Sequence, residues 1–313
     1  MSIGRCLLRR ACTGAATASL IILASTVDAG SYEFEIFEVP GAPITGGRGI
    51  NDTGCEAGYY QTDASDFSTA HAIRRCAGTI VDIDPPTSIG DRRAFDINDA
   101  GVVVGSALRS SGQDGFELIG GLYSWVEYPG ADQTVIRGVN NLGEIVGEYE
   151  GSDGIRHAFA RLGGTLINVD VPGAAESRAR GINDLGEIVG HYDDTTGSRH
   201  GFRRSTAGAY STLDFPGAVS TVTGGINNTG DVVGTYFDAG GSPHGFVWTA
   251  GVFEPCDVPG AAGTLSVGIN EAGRLTGEFV DAKGTRRGFV AIPILFEDGF
   301  ESGNTNAWSM TVP

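Results

Sequence analysis

The chain is 313 residues long and 41% hydrophobic, with 38 Asp and Glu against 21 Lys and Arg, a net charge of −17. That length can fill one large domain with an extended core. The acidic balance, with no Lys/Arg stripe interleaved with aromatics, argues against a nucleic-acid footprint and against an anionic bilayer surface.

Residues 1–29 read as a signal peptide, with Arg5, Arg9 and Arg10 ahead of an apolar stretch from Ala15 to Leu23 and small residues Val27 and Ala29 at the cut. The stretch is far shorter than the ~20 residues a membrane span needs, so no span is expected in the mature chain. Removing this segment takes away three Arg and one Asp, leaving 18 basic and 37 acidic side chains and a net charge of −19. Export permits disulfides. Cys55 and Cys76 bracket an expected hairpin and form the candidate pair, provided their backbone geometry allows it. Cys256 takes the place of Val169 and Leu213 of sibling repeats and reads as a small buried hydrophobe.

From Tyr32 to Val39, before Pro40-Gly41-Ala42, the pattern is that of a closing strand arriving before any opening one. A motif (G/D)-(I/V)-N-(D/N/E)-x-G then recurs six times, with Asn51, Asn98, Asn140, Asn183, Asn227 and Asn270 spaced by 47, 42, 43, 44 and 43 residues. A period of 40–45 residues built from short strands signals a radial or stacked β repeat. In the fourth unit, Ser177 to Ile182 leads into Asn183-Asp184-Leu185-Gly186, a type I turn closing a hairpin. Glu187 to Tyr192 is apolar on both faces, as a central strand requires. A third strand opens with His200-Gly201-Phe202, and a fourth, Ser211 to Phe215, alternates inward and outward before Pro216-Gly217 turns into the next unit. Pro255 in a sibling of that fourth strand marks it as an edge.

These features predict an all-β fold: a six-bladed β-propeller of four-stranded antiparallel blades over residues 30–293. The last unit, Leu265 to Pro293, has only three strands, and the N-terminal strand would close it and remove the exposed edges. A linear β solenoid is the alternative. Residues 294–313 change character and read as a C-terminal tail.

The recurring I-N-D-x-G, V-G-x-Y and His-Ala-Phe or His-Gly-Phe elements, including His157-Ala158-Phe159, resemble the bacterial extracellular HAF-repeat proteins from about Gly47 to Val290. Two units depart from the pattern: His71-Ala72-Ile73 lacks the Phe and Asp114-Gly115-Phe116 lacks the His. The resemblance implies an exported repeat protein and brings no catalytic residues.

Four of the five histidines, His71, His157, His200 and His244, occupy one repeat slot and so stand one per blade, too far apart to share a tetrahedral metal. Each is expected to order its own hairpin, by bonding a backbone group. His191 stands outside the repeat, as readily exposed as functional. Asp63, Asp153, Asp193, Asp194, Asp238 and Asp281 fall in or beside second-to-third-strand loops without a D-x-[DN]-x-[DN]-G series and are expected to be solvated turn residues. No G-x-S-x-G, H-E-x-x-H or P-loop is present. Trp125 and Trp248 are expected at comparable positions, in packing. The expectation is an exported, monomeric, non-enzymatic binding or structural module without cofactor or metal, directed to an extracellular glycan or exported protein. The alternatives are a polysaccharide hydrolase or lyase using acidic rim residues and a calcium-stabilised scaffold.

Overall fold

A computed structural model describes residues 32–294. The expected signal peptide and, beyond Ile294, the expected tail lie outside the described residues. Six antiparallel sheets of four strands stand around an axis, spanning residues 44–82, 90–126, 133–168, 176–212 and 220–255, with the sixth made of 263–293 and the strand Tyr32–Phe37. Blades six and one also touch through a single parallel bridge between Ile44 and Arg286. The chain is a six-bladed β-propeller.

Blade four shows how the sequence builds each unit. Its inner strand is Glu176–Ile182, its second Ile188–Asp193, its third Arg199–Arg204 and its outer strand Tyr210–Thr212. Ile188 and Val189 point to opposite faces and are both fully buried, because neighbouring blades cover the sheet on both sides. Phe202 lies over Gly190: a Cβ there would meet the Arg178 carbonyl at 2.1 Å and the Phe202 ring at 2.9 Å. The glycine of V-G-x-Y and the phenylalanine of His-Gly-Phe are therefore two halves of one contact. The outer strand is shorter than the pattern suggests. Leu213 N–H still bonds the Gly201 carbonyl, but Asp214 turns away to His200 and ends the ladder.

Every inner strand carries a β-bulge three residues before its asparagine. A bulge re-aims one side chain, and here the extra residues are Arg48, Phe95, Arg137, Arg180, Gly224 and Val267, all of which line the axial channel. The next residue is glycine in five blades because the inner strands nearly touch. A Cβ at Gly181 would meet the Gly224 carbonyl of blade five at 2.7 Å.

The ring closes as the two incomplete termini require. Tyr32–Phe37 pairs antiparallel with Arg286–Pro293, Glu35 opposite Val290 and Phe37 opposite Gly288. Phe37 packs where a side chain at position 288 would stand. Arg75 of blade one bonds both oxygens of Glu56 and reaches Glu35 of the closing strand, so an ion-pair triad fastens the seam. In the same blade Cys55 and Cys76 are joined by a disulfide across a Cα separation of 4.3 Å, tying the Asn51 turn to the end of the third strand. Cys256 is buried and free.

Candidate functional site

Strand direction sorts the loops onto two faces. Inner strands run into the asparagine turns on one face, and the second-to-third-strand loops join the blade-to-blade connections on the other. Three layers of polar side chains follow along the axis.

At the asparagine face, each repeat Asn is at most 5% exposed. Its Oδ1 accepts the N–H four residues on, and its Nδ2 donates to the main-chain carbonyl of the equivalent Asn in the next blade. These donations run Asn51 to Asn98, Asn140, Asn183, Asn227, Asn270 and back to Asn51, at 2.9 to 3.4 Å. The following residues make a second circle. The N–H groups of Asp52, Asp99, Asn141, Asp184, Asn228 and Glu271 each bond the side-chain oxygen of the corresponding residue one blade on, at 2.7 to 2.9 Å. The D/N/E choice at that position is thus a requirement for an acceptor reaching the next blade. Sequence reasoning treated Asn and Asp as turn formers and missed the inter-blade role, although a buried amide always leaves two donors to be placed. The circle surrounds a mouth of about 70 Å³. Burial, with Asp52 and other ring acids nearby, pushes Glu271 up.

Deeper in the channel the symmetry ends. Arg48, Arg137 and Arg180 face a cavity of about 50 Å³, beside Phe95 and Asp96. Arg48 pairs with Glu278 at 3.3 Å and bonds the Tyr59 hydroxyl, which donates to the same Glu278 at 2.9 Å. Arg137 pairs with Glu148 at 2.7 Å. Burial would raise Glu148, but Arg137, Arg180 and Arg178 hold it down at about 2. Arg180 has no such carboxylate; its Nε donates to His191 Nδ1 at 3.1 Å. Burial and the adjacent Arg137 push Arg180 down to about 9. His191 is 1% exposed, so the expectation of a readily exposed residue is corrected. Burial and Arg180 keep its imidazole neutral, its pKa well below the usual range. Asp96, which replaces the otherwise constant glycine, accepts from Ile97 and Val139 N–H at 2.9 Å, and burial raises it to about 7. The channel is where the blades differ, with Arg, Phe, Gly and Val all found at the bulge position. Its signal was present as unlike residues three positions before each Asn, on the side of the motif that repeats less cleanly.

On the connection face the repeat histidines bond carboxylates, where a backbone partner was expected. Nδ1 of His71, His157, His200 and His244 meets Asp84, Asp170, Asp214 and Asp257 at 2.7 to 2.8 Å. The other oxygen of each Asp accepts the N–H following the histidine. Tyr60, Tyr149, Tyr192 and Tyr236 stack on the four imidazoles. Asp194 and Asp238 reach the far nitrogens of His200 and His244 at 3.5 Å, and the bonds to the flanking aspartates raise both imidazoles. The two blades without a histidine in this slot, two and six, keep a charge pair in its place. Arg109 bridges Asp114 and Glu127 in blade two, and Arg287 meets Glu38 and Asp281 in blade six. The loop acids also close their own turns: Asp194 accepts from the Thr196 hydroxyl and Ser198 N–H, which hold it at about 2. Trp125 and Trp248 are not equivalent. The first is on an outer strand under Arg109 and the second on a third strand under Arg203. Among the described residues no group of three or more His, Cys, Asp or Glu is placed to hold a metal, and no helix is long and apolar enough to cross a membrane.

No protein-family model matches the chain, and no curated protein does. Among solved structures it is similar to TolB from Acinetobacter baumannii, with a TM-score of 0.53 and 11% identity, covering 77% of this chain and 64% of that protein. It is equally similar to AofleA from Arthrobotrys oligospora, with a TM-score of 0.53 and 12% identity, covering 90% and 95%. At such identities the likeness shows the propeller fold alone.

Proposed function

We propose that the protein is an exported, non-enzymatic binding module of the HAF-repeat kind that presents its connection face to a polyhydroxylated partner, an extracellular glycan. The observation that carries this reading is the fourfold repetition, on one face, of a partly exposed Asp-His-Tyr set in blades one, three, four and five. Identical rigid sites on a ring suit a polymer that repeats its own hydroxyls, because several weak contacts then add through effective concentration. Carboxylates bonded to imidazole keep lone pairs for sugar hydroxyls, and the tyrosine rings offer apolar faces beside them. Two further observations favour binding over turnover. Rim acids already serve turns and imidazoles, and the axial cavity of about 50 Å³ is well below the ~300 Å³ at which small-molecule sites begin.

The test is a panel of immobilised and soluble extracellular polysaccharides. Retention of the protein without release of new chain ends is expected, and Asp214→Asn combined with Asp257→Asn should reduce retention several-fold. Turnover of any polymer that one rim Asp→Asn change abolishes would overturn the reading in favour of a hydrolase or lyase.

A further inference from the structure

Blades three and four use the same two positions in opposite ways. In blade three the bulge residue Arg137 faces Glu148 on the second strand. In blade four the bulge residue Arg180 faces His191, which stands where Glu148 stands. Arg48 borrows Glu278 from blade six. Of the three guanidinium groups on the cavity, two pair directly with a carboxylate; the third, among the described residues, bonds none and feels Glu148 only at longer range.

His191 directs Arg180 without neutralising it. A neutral imidazole accepts at one nitrogen only. With Nδ1 taken by Arg180 Nε, the remaining N–H faces Arg178 Nη1 at 3.2 Å, donor against donor. This side chain is 99% buried, at 1% exposure, and no acceptor compensates it. Nε of Arg137 and of Arg48 also lack an acceptor among the described residues, while Arg178 Nε stands 3.9 Å from the equally unbonded Glu148 Oε2. Two cavity-lining guanidinium groups, Arg48 and Arg137, thus keep a buried Nε without an acceptor, and Asp96, raised by burial, is the one carboxylate among the residues that line the cavity, an arrangement that costs stability unless a counter-charge enters. The lowered pKa of Arg180 has the sign expected of an uncompensated cation.

We propose that Arg180, with Arg137 and Arg48, binds one small oxyanion group, a carboxylate, sulfate or phosphate, in the axial cavity. A cavity of about 50 Å³ holds a few waters or one such group. Planar guanidinium forks suit it better than ammonium groups would. Asp52, Asp99, Asp184 and Glu271 ring the asparagine-face mouth, which adjoins the cavity at Asp96, Ile182, Ile226 and Ile269, so the guanidinium groups must hold an anion against that ring. The inference deepens the binding reading by giving it an acidic group to recognise, such as the carboxylate of a uronate sugar.

The full chain is titrated calorimetrically, at ionic strength matched with chloride, with sodium sulfate, sodium phosphate, galacturonate and neutral galactose. Saturable one-to-one binding of at least one anion and none of galactose is expected. Galacturonate binding identifies a sugar carboxylate as the source; binding of sulfate or phosphate alone identifies a free inorganic anion. Arg180→Gln should weaken the anion at least tenfold, and Arg203→Gln, which alters a pair with Glu187 outside the cavity, should leave it unchanged. Without anion, Arg180→Gln should melt above the parent because an unpaired charge is gone. A lower melting point or a failure to fold would make Arg180 a structural residue and overturn the proposal, as would absence of saturable anion binding by the parent or an unchanged affinity in Arg180→Gln. Polysaccharide retention by Arg180→Gln separates the two readings: retention with the anion site lost leaves the connection-face reading standing.

Discussion

The asparagine turns and the bulged belt are only three residues apart on each inner strand, yet they obey different rules. In the turns all six blades do the same thing, and each donor finds an acceptor one blade on. In the belt the six bulge residues are Arg, Phe, Arg, Arg, Gly and Val, and buried polar atoms such as Arg48 Nε, Arg137 Nε and Glu148 Oε2 are left unbonded. Where backbone meets backbone, repetition holds the ring. Where side chains meet the channel, repetition is given up and polar groups are left for something else.

Breaking the regular side should have the largest effect. Asn183→Ala removes two acceptor bonds in its turn and donor bonds to Asn227 and Glu187, and at roughly 1 kcal/mol each it should cost about 4 kcal/mol in denaturant unfolding. Reducing Cys55–Cys76 frees the second and third strands of blade one from their covalent tie; for a separation of 21 residues the loop-entropy relation gives about 3 kcal/mol, read as a drop in denaturation midpoint with reductant. Gly181→Ala would push a methyl into the backbone of blade five and should cost about 2 kcal/mol. Gly197→Ala has open space and only an unfavourable φ of +85° against it, and should cost about 1 kcal/mol.

The smallest effect sharpens the contrast among histidines. His200 and His244 have raised pKa values in the fold. Their charged bonds therefore stabilise fully below the unfolded value of about 6.5 and are lost as pH rises through the raised values. An imidazole proton titration by NMR should place both above ~6.5, while His191 stays neutral throughout the neutral range. Asp96, raised to about 7, adds a loss in the same direction as pH climbs from its usual 3.8.

The architecture was legible because turn chemistry and strand alternation are local. Asn-Asp-Leu-Gly at Asn183 dictates its hairpin whatever surrounds it, and the incomplete ends at Tyr32 and Pro293 demand each other. The glycine of V-G-x-Y was visible as a repeat, but its reason, a phenylalanine ring from the adjacent strand, is a tertiary fact. The channel was less legible still. Arg180 looks like any charged residue near the end of a strand until a bulge turns it inward, and the replacement of Glu148 by His191 has meaning only once both positions are known to meet the bulge arginines. The error over Trp125 and Trp248 has the same source: assigning an outer and a third strand to one slot requires the register, which spacing alone does not give.

Circular closure is the claim on which both faces depend, and amide hydrogen exchange read by mass spectrometry tests it most directly. Peptides covering Tyr32–Phe37 and Arg286–Pro293 should exchange as slowly as the strands of blade four, since their ladder runs the full length of the closing strand. Rapid exchange of Tyr32–Phe37 while blade four stays protected would show an open array and contradict the account.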